Sequence, residues 1–155
     1  MAAGFSLVVD KEREFCEFLE TSVIAQLKDN PIEPQVVVDA EIDASGATMN
    51  LIQRLSVLAP FGQGNPEPEL VLNAAKLQYA TIMGNGSHLR GAVRTSMGTT
   101  VAFVGFNLVG TPVGDFLLDD ANINTTMSML GRLKENEYNG RTSAQFMLED
   151  IAVGK

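Results

Sequence analysis

The sequence predicts an α+β fold in two parts, a helix-and-strand segment over residues 1–60 and a five-stranded β domain over residues 70–155. Three observations carry this reading. Apolar residues recur at three- and four-residue spacing before residue 60, Pro and Gly crowd residues 60–69, and apolar residues alternate with period two beyond them. A hydrophobic content of 45% with 19% charged residues suits a packed globular chain.

Residues 10–29 form the first predicted helix, with Phe15, Phe18, Leu19, Val23 and Leu27 on one stripe. Asp10 is its candidate N-cap, Glu12 and Glu14 suit the positive end of the dipole, and Asn30-Pro31 stops it. Val36 to Ile42 reads as a short strand, and residues 47–58 as a second helix with Leu51, Ile52, Leu55 and Leu58 on one side. PFGQGNPEPE, residues 60–69, suits neither a helix nor a central strand, and a domain boundary is placed there. Candidate strands follow at about 71–83, 88–95, 100–107, 124–136 and 141–153, with no clear helix among them. Asn139-Gly140 is a type I′ hairpin signal, and Asn85-Gly86 and Met97-Gly98 are weaker turns. Such a series suggests a small barrel of the OB type or a sandwich.

No apolar run approaches the roughly 20 residues needed to span a bilayer. The N-terminus lacks a basic region ahead of an apolar stretch, so no signal peptide is expected and a cytoplasmic location follows. One cysteine, Cys16, excludes an internal disulfide framework. The net charge of -8 is unusual for a nucleic-acid binder but uneven. Residues 1–60 hold 4 basic and 10 acidic side chains, residues 61–155 hold 7 and 9. The second part therefore has room for a local basic face.

No catalytic constellation is visible. Asp119-Asp120 is an adjacent acidic pair after residue 60 and reads as a solvated turn. Cys16 lies beside the apolar stripe and reads as a buried or half-buried thiol. GxSxG, SxxK and a Walker loop are absent, and the GxG at 62–64 opens no helix. Two-metal hydrolysis needs a carboxylate and histidine cluster, which one histidine and scattered carboxylates do not supply.

AAGFS at residues 2–6 resembles the end of the glycine-rich motif closing the DHHA1 domain of DHH phosphoesterases. LAPFGQGNPEPE at 58–69 resembles the segment that joins that domain to the OB-like domain of bacterial RecJ-type exonucleases. His88-Leu89 after a glycine turn, FVGFN at 103–107, and NEYNG at 136–140 followed by Gln145 agree with that family in order and spacing. The resemblance covers essentially the whole chain. It implies that residues 1–60 are the C-terminal part of a DHHA1-like domain, 61–69 a junction and 70–155 an OB-like domain. It further implies a single-strand-specific exonuclease acting 5′ to 3′ in recombination and repair, dependent on Mn2+ or Mg2+. In that family the metal-binding aspartates and paired histidines lie in an N-terminal DHH domain. A piece of a longer enzyme is therefore expected here, with no catalytic residue, metal site or cofactor of its own.

Strand alternation assigns faces. His88, Arg90, Ala92 and Arg94 share one side of their strand, while Leu89, Gly91 and Val93 share the other. Met127, Met129, Gly131 and Leu133 are placed inward, leaving Arg132 and Lys134 outside. Arg141, Ser143 and Gln145 are placed outward, as are Lys76 and Gln78, against Leu77 and Tyr79 inward. Phe103, Phe106 and Phe146 read as core, and Tyr138 at the hairpin end is the stacking candidate. Any barrel in water places its charges outside, which accounts for this phase by itself. With the resemblance, the same residues become candidate contacts for single-stranded DNA: Lys76, His88, Arg90, Arg94, Arg132, Lys134, Tyr138 and Arg141. The competing reading is a protein-interaction module that docks a repair partner, and residues 1–60 carry the apolar stripe for a possible dimer.

Overall fold

The computed structural model describes residues 4, 6–28 and 35–154. It divides into two compact units, Met1–Val37 and Val38–Lys155.

In the first unit, a 3-10 turn at Val9–Lys11 leads into helix α1 (Glu12–Leu27). Asp10 falls inside that turn, so Lys11 is the N-cap, without a side-chain cap. Ion pairs Lys11–Glu14 and Arg13–Glu17, one helical turn apart, support the exposed face. The predicted stripe is present at helical spacing, but α1 buries none of its residues, and Phe18 and Ile24 are 63% and 69% exposed. Cys16 is exposed, not buried as the stripe suggested.

The second unit contains strands β1 (Ala40–Asp43), β2 (Leu70–Met83), β3 (His88–Arg94), β4 (Thr100–Gly105), β5 (Thr126–Tyr138) and β6 (Arg141–Val153). Two short helices join them, α2 (Met49–Leu55) and α3 (Pro112–Leu118). The sheet order is β1-β2-β3-β4-β6-β5, and β2 also pairs with β5. Strands β2 to β6 therefore close on themselves. All neighbours in the barrel are antiparallel except β4 and β6.

Alternation explains most of it. Leu72, Leu77, Leu89, Val93, Phe103, Met129 and Phe146 are at most 1% exposed and fill the barrel. Burying a side chain of this size stabilises by about 1.5–3 kcal/mol. The β5–β6 hairpin turns at Asn139 and Gly140, with φ of 51° and 70°. Two successive left-handed residues are what a type I′ turn requires.

Four sequence-based expectations change. The strand expected over 36–42 is confined to Ala40–Asp43. Helix α3 appears where none was foreseen: Thr111 Oγ1 accepts the Gly114 N–H, Pro112 takes the first turn, and Leu117 enters the core. Phe106 follows the end of β4 and is 53% exposed. The turn at 60–69 is a surface feature of the second unit rather than its beginning. Asp39 N–H donates to Glu69 O, β1 pairs in parallel with residues 70–73 of β2, and Ala44 and Ala47 are buried in the barrel's core cluster. Leu51, Ile52 and Leu55 of α2 pack on the same cluster.

Candidate nucleic-acid interface

The outward face of the barrel is set by two bulges in β2. The register with β5 shifts between Leu72 and Ala75, around Ala74 at φ 57°. The register with β3 shifts between Leu77 and Tyr79. An extra residue re-aims every side chain after it. Leu77 faces the core at 0% exposure, and Tyr79, expected inward by alternation, emerges on the outside at 52%.

Tyr79 pairs with Ala92, which lies between Arg90 and Arg94 on the same face of β3. Diagonal neighbours across an antiparallel pair have Cβ atoms roughly 7–8 Å apart, within reach of long side chains. The phenol is thus level with the gap between two guanidinium groups. Lys76 pairs directly with Arg94, and both are exposed. Among the described residues, no carboxylate forms an ion pair with Lys76, Arg90 or Arg94. Like charges directly opposite destabilise a sheet, and an anion seated between them reverses that cost.

The pairings carry this face across the barrel. One row runs Tyr79, Ala92, Ala102, Gln145, Lys134, and the next runs Thr81, Arg90, Val104, Met147, Arg132. Four strand spacings make each row about 19 Å long along the curved surface. On the floor between the two cationic banks Ala102 is exposed, whereas Ala92 and Val104, 3% and 8% exposed, lie beneath their neighbours.

The second bank differs from the first. Arg132 donates to Glu69 and, at 2.5 Å, to Glu149, while Lys134 Nζ lies 2.5 Å from Glu67 Oε2. Beside them a groove of about 410 Å3 is lined by Phe106, Leu108, Met147 and Leu148 together with Arg132, Lys134, Glu67 and Glu149.

The remaining sequence candidates sit apart from Tyr79. His88 is half-buried: its Nδ1 accepts the Asn107 N–H at 3.0 Å, and its ring meets Phe106 edge-on at 5.1 Å. His88 thus anchors the residue after Phe106. Tyr138, 72% exposed, and Arg141 face each other at the tip of the β5–β6 hairpin.

A closed five-stranded barrel with α3 between its third and fourth strands is an OB-type barrel, a class whose outer face and flanking loops receive oligonucleotides and oligosaccharides. The family model described as the RecJ OB domain matches residues 38–150, and the chain belongs to that family. The matched span begins where the second compact unit begins.

The chain is 27% identical over 156 residues to the single-stranded-DNA-specific exonuclease RecJ of Bacillus subtilis, covering 100% of this chain and 19% of that protein. With RecJ of Escherichia coli it shares 28% over 152 residues, covering 97% and 25%. Among solved structures, RecJ from Thermus thermophilus in complex with Mn2+ matches with a TM-score of 0.60 at 23% identity, over 93% of this chain and 20% of that one. This last likeness shows the fold. The chain spans about a fifth to a quarter of the length of these relatives.

Among the described residues, no three His, Cys, Asp or Glu side chains come together in a group able to hold a metal ion. These residues do not supply the donor set of a Mn2+ or Mg2+ site. None of the described helices is long and apolar enough to cross a membrane.

Proposed function

We propose that this chain is the strand-gripping part of a RecJ-type 5′ to 3′ exonuclease of recombination and repair, holding single-stranded DNA for hydrolysis elsewhere in the whole enzyme. The carrying observation is Tyr79 exposed between Arg90 and Arg94, with Lys76 beside them and, among the described residues, no carboxylate ion-paired to that bank. The names of the relatives, single-stranded-DNA-specific exonucleases, support the choice of ligand.

The mechanism is division of labour. Arg90, Arg94 and Lys76 neutralise phosphates without reading sequence. Tyr79 offers a face on which any unpaired base can stack, which paired and stacked bases in a duplex cannot use. The short, exposed Ala102 leaves room for the strand close to the sheet. A Mn2+ or Mg2+ requirement of the whole enzyme falls on residues other than the described ones, and this chain alone leaves DNA intact in either ion.

Titration of a labelled oligonucleotide and its duplex at several salt concentrations tests this. The single strand binds more tightly, its affinity falls with salt, and it is not shortened. Salt-independent binding, or none, would transfer the function to the protein-docking reading.

A further inference from the structure

Resting on the proposed function, we infer that Arg132, Lys134 and the adjoining Phe106–Met147 groove form a second nucleotide subsite. Glu67, Glu69 and Glu149 occupy it as stand-ins for backbone phosphates. The ligand class is the same phosphodiester strand, continued across the barrel from Tyr79.

Three observations converge on the subsite. The strand pairings place Lys134 in the same row as Tyr79, and Arg132 in the same row as Arg90. The groove supplies an apolar floor beside the two cations, the combination that seats a base and its phosphate together. The cations themselves are held by carboxylate oxygens rather than left to solvent.

Carboxylate and phosphate oxygens are interchangeable acceptors for a guanidinium fork. Arg132 divides its donors, one terminal nitrogen to Glu69 and the other to Glu149. Each of these side chains keeps between 24% and 47% of its surface exposed. Ion pairs so exposed contribute little net stability, so a strand already anchored at Tyr79 can displace the carboxylates. Glu67 and Glu69 both belong to the Pro/Gly-rich turn 60–69, whose backbone meets the barrel at the Asp39–Glu69 hydrogen bonds. That turn thereby covers the β5 bank while the β3 bank stays open. Such masking also suits a chain of net charge -8 that must bind an anion locally.

The test is the double substitution Glu67→Gln plus Glu69→Gln in the full chain, titrated with a labelled single strand at several salt concentrations. Freeing Lys134, and leaving Arg132 with Glu149 as its one carboxylate, steepens the salt slope by about 0.7–1.4 and tightens low-salt binding several-fold. Adding Arg132→Ala and Lys134→Ala removes that gain. Wild-type binding that depends on Arg90 and Arg94, with no gain in the glutamine variant, overturns the subsite and leaves the proposed function standing. Absence of binding in both proteins overturns both. Should the double variant fail to fold, Glu67→Gln alone, which frees Lys134, steepens the slope by about 0.7; no change overturns the inference.

Discussion

The backbone carbonyl of Tyr79 occupies the space in which residue 91 would carry a side chain: a Cβ on Gly91 would lie 2.3 Å from Tyr79 O and 2.5 Å from Phe103 Cζ. The bulge that turns Tyr79 outward thus leans on a glycine in the neighbouring strand. Gly91→Ala must displace either β2 or the Phe103 ring, and overpacking of this kind costs about 1–3 kcal/mol. Urea denaturation should show that loss, together with weaker oligonucleotide binding. Full stability with unchanged binding would mean that the bulge does not depend on Gly91.

Tyr79→Ala should lower single-strand affinity by about 1–3 kcal/mol, the range for one stacked base. Tyr79→Phe keeps the ring and should bind nearly as wild type. A side chain 52% exposed contributes little to folding, so melting temperatures should change little in either variant. Equal losses in both variants would point to the hydroxyl, not the ring.

Arg90→Ala with Arg94→Ala should weaken binding at low salt and flatten the salt slope by about 1.4, two phosphate contacts at roughly 0.7 each. The effect should be alike for different base sequences, because phosphate contacts carry no sequence information. Titrations with oligonucleotides of differing composition read both. An unchanged slope would move the phosphate contacts elsewhere.

Asp43 ties the short β1 segment to the barrel. The Ser45 hydroxyl and backbone N–H hold its carboxyl below the usual carboxylate range against an opposing effect of desolvation, with Ser96 adding to the lowering. A pKa depressed on folding gives stability that is present above the unfolded value, near 3.9, and lost as pH falls through the folded one. Asp43→Asn should therefore be less stable at neutral pH and lose less on acidification below about pH 4. Urea midpoints at pH 7 and pH 3 measure both. Parallel losses in the two proteins would remove Asp43 from the acid transition.

The strand positions were legible because the barrel interior follows alternation, as Leu89 and Val93 on one side and Arg90 and Arg94 on the other show. The bulge at Tyr79 was not, since one extra residue inverts the phase without altering composition. Gly91, in the middle of an apolar strand, was the available signal, because such a glycine marks a close backbone approach. Helix α3 also had a signature in Thr111-Pro112, but its seven residues are too few to show a helical period. The masking of Arg132 by Glu69 had no local signal, for the partners lie far apart in sequence and meet only when β2 joins β5. Cys16 was misplaced for a different reason: helical spacing identifies an apolar stripe but not what covers it.

The two pairings that close the barrel join residue 102 to residue 145 and residue 70 to residue 131. Contacts so distant in the chain form late, because loop closure must precede them. A nascent polypeptide that has emerged only through β4 already carries Tyr79, Arg90 and Arg94, yet has neither the opposite bank nor the floor beyond Ala102. The continuous outer face that runs from Tyr79 to Lys134 comes into being only when β6 slots between β4 and β5. Until that moment both rims are unpaired sheet edges, open to pairing with another chain. Without the parallel β4–β6 seam the chain is a half-barrel with open edges, and with it a closed barrel with one continuous outer face.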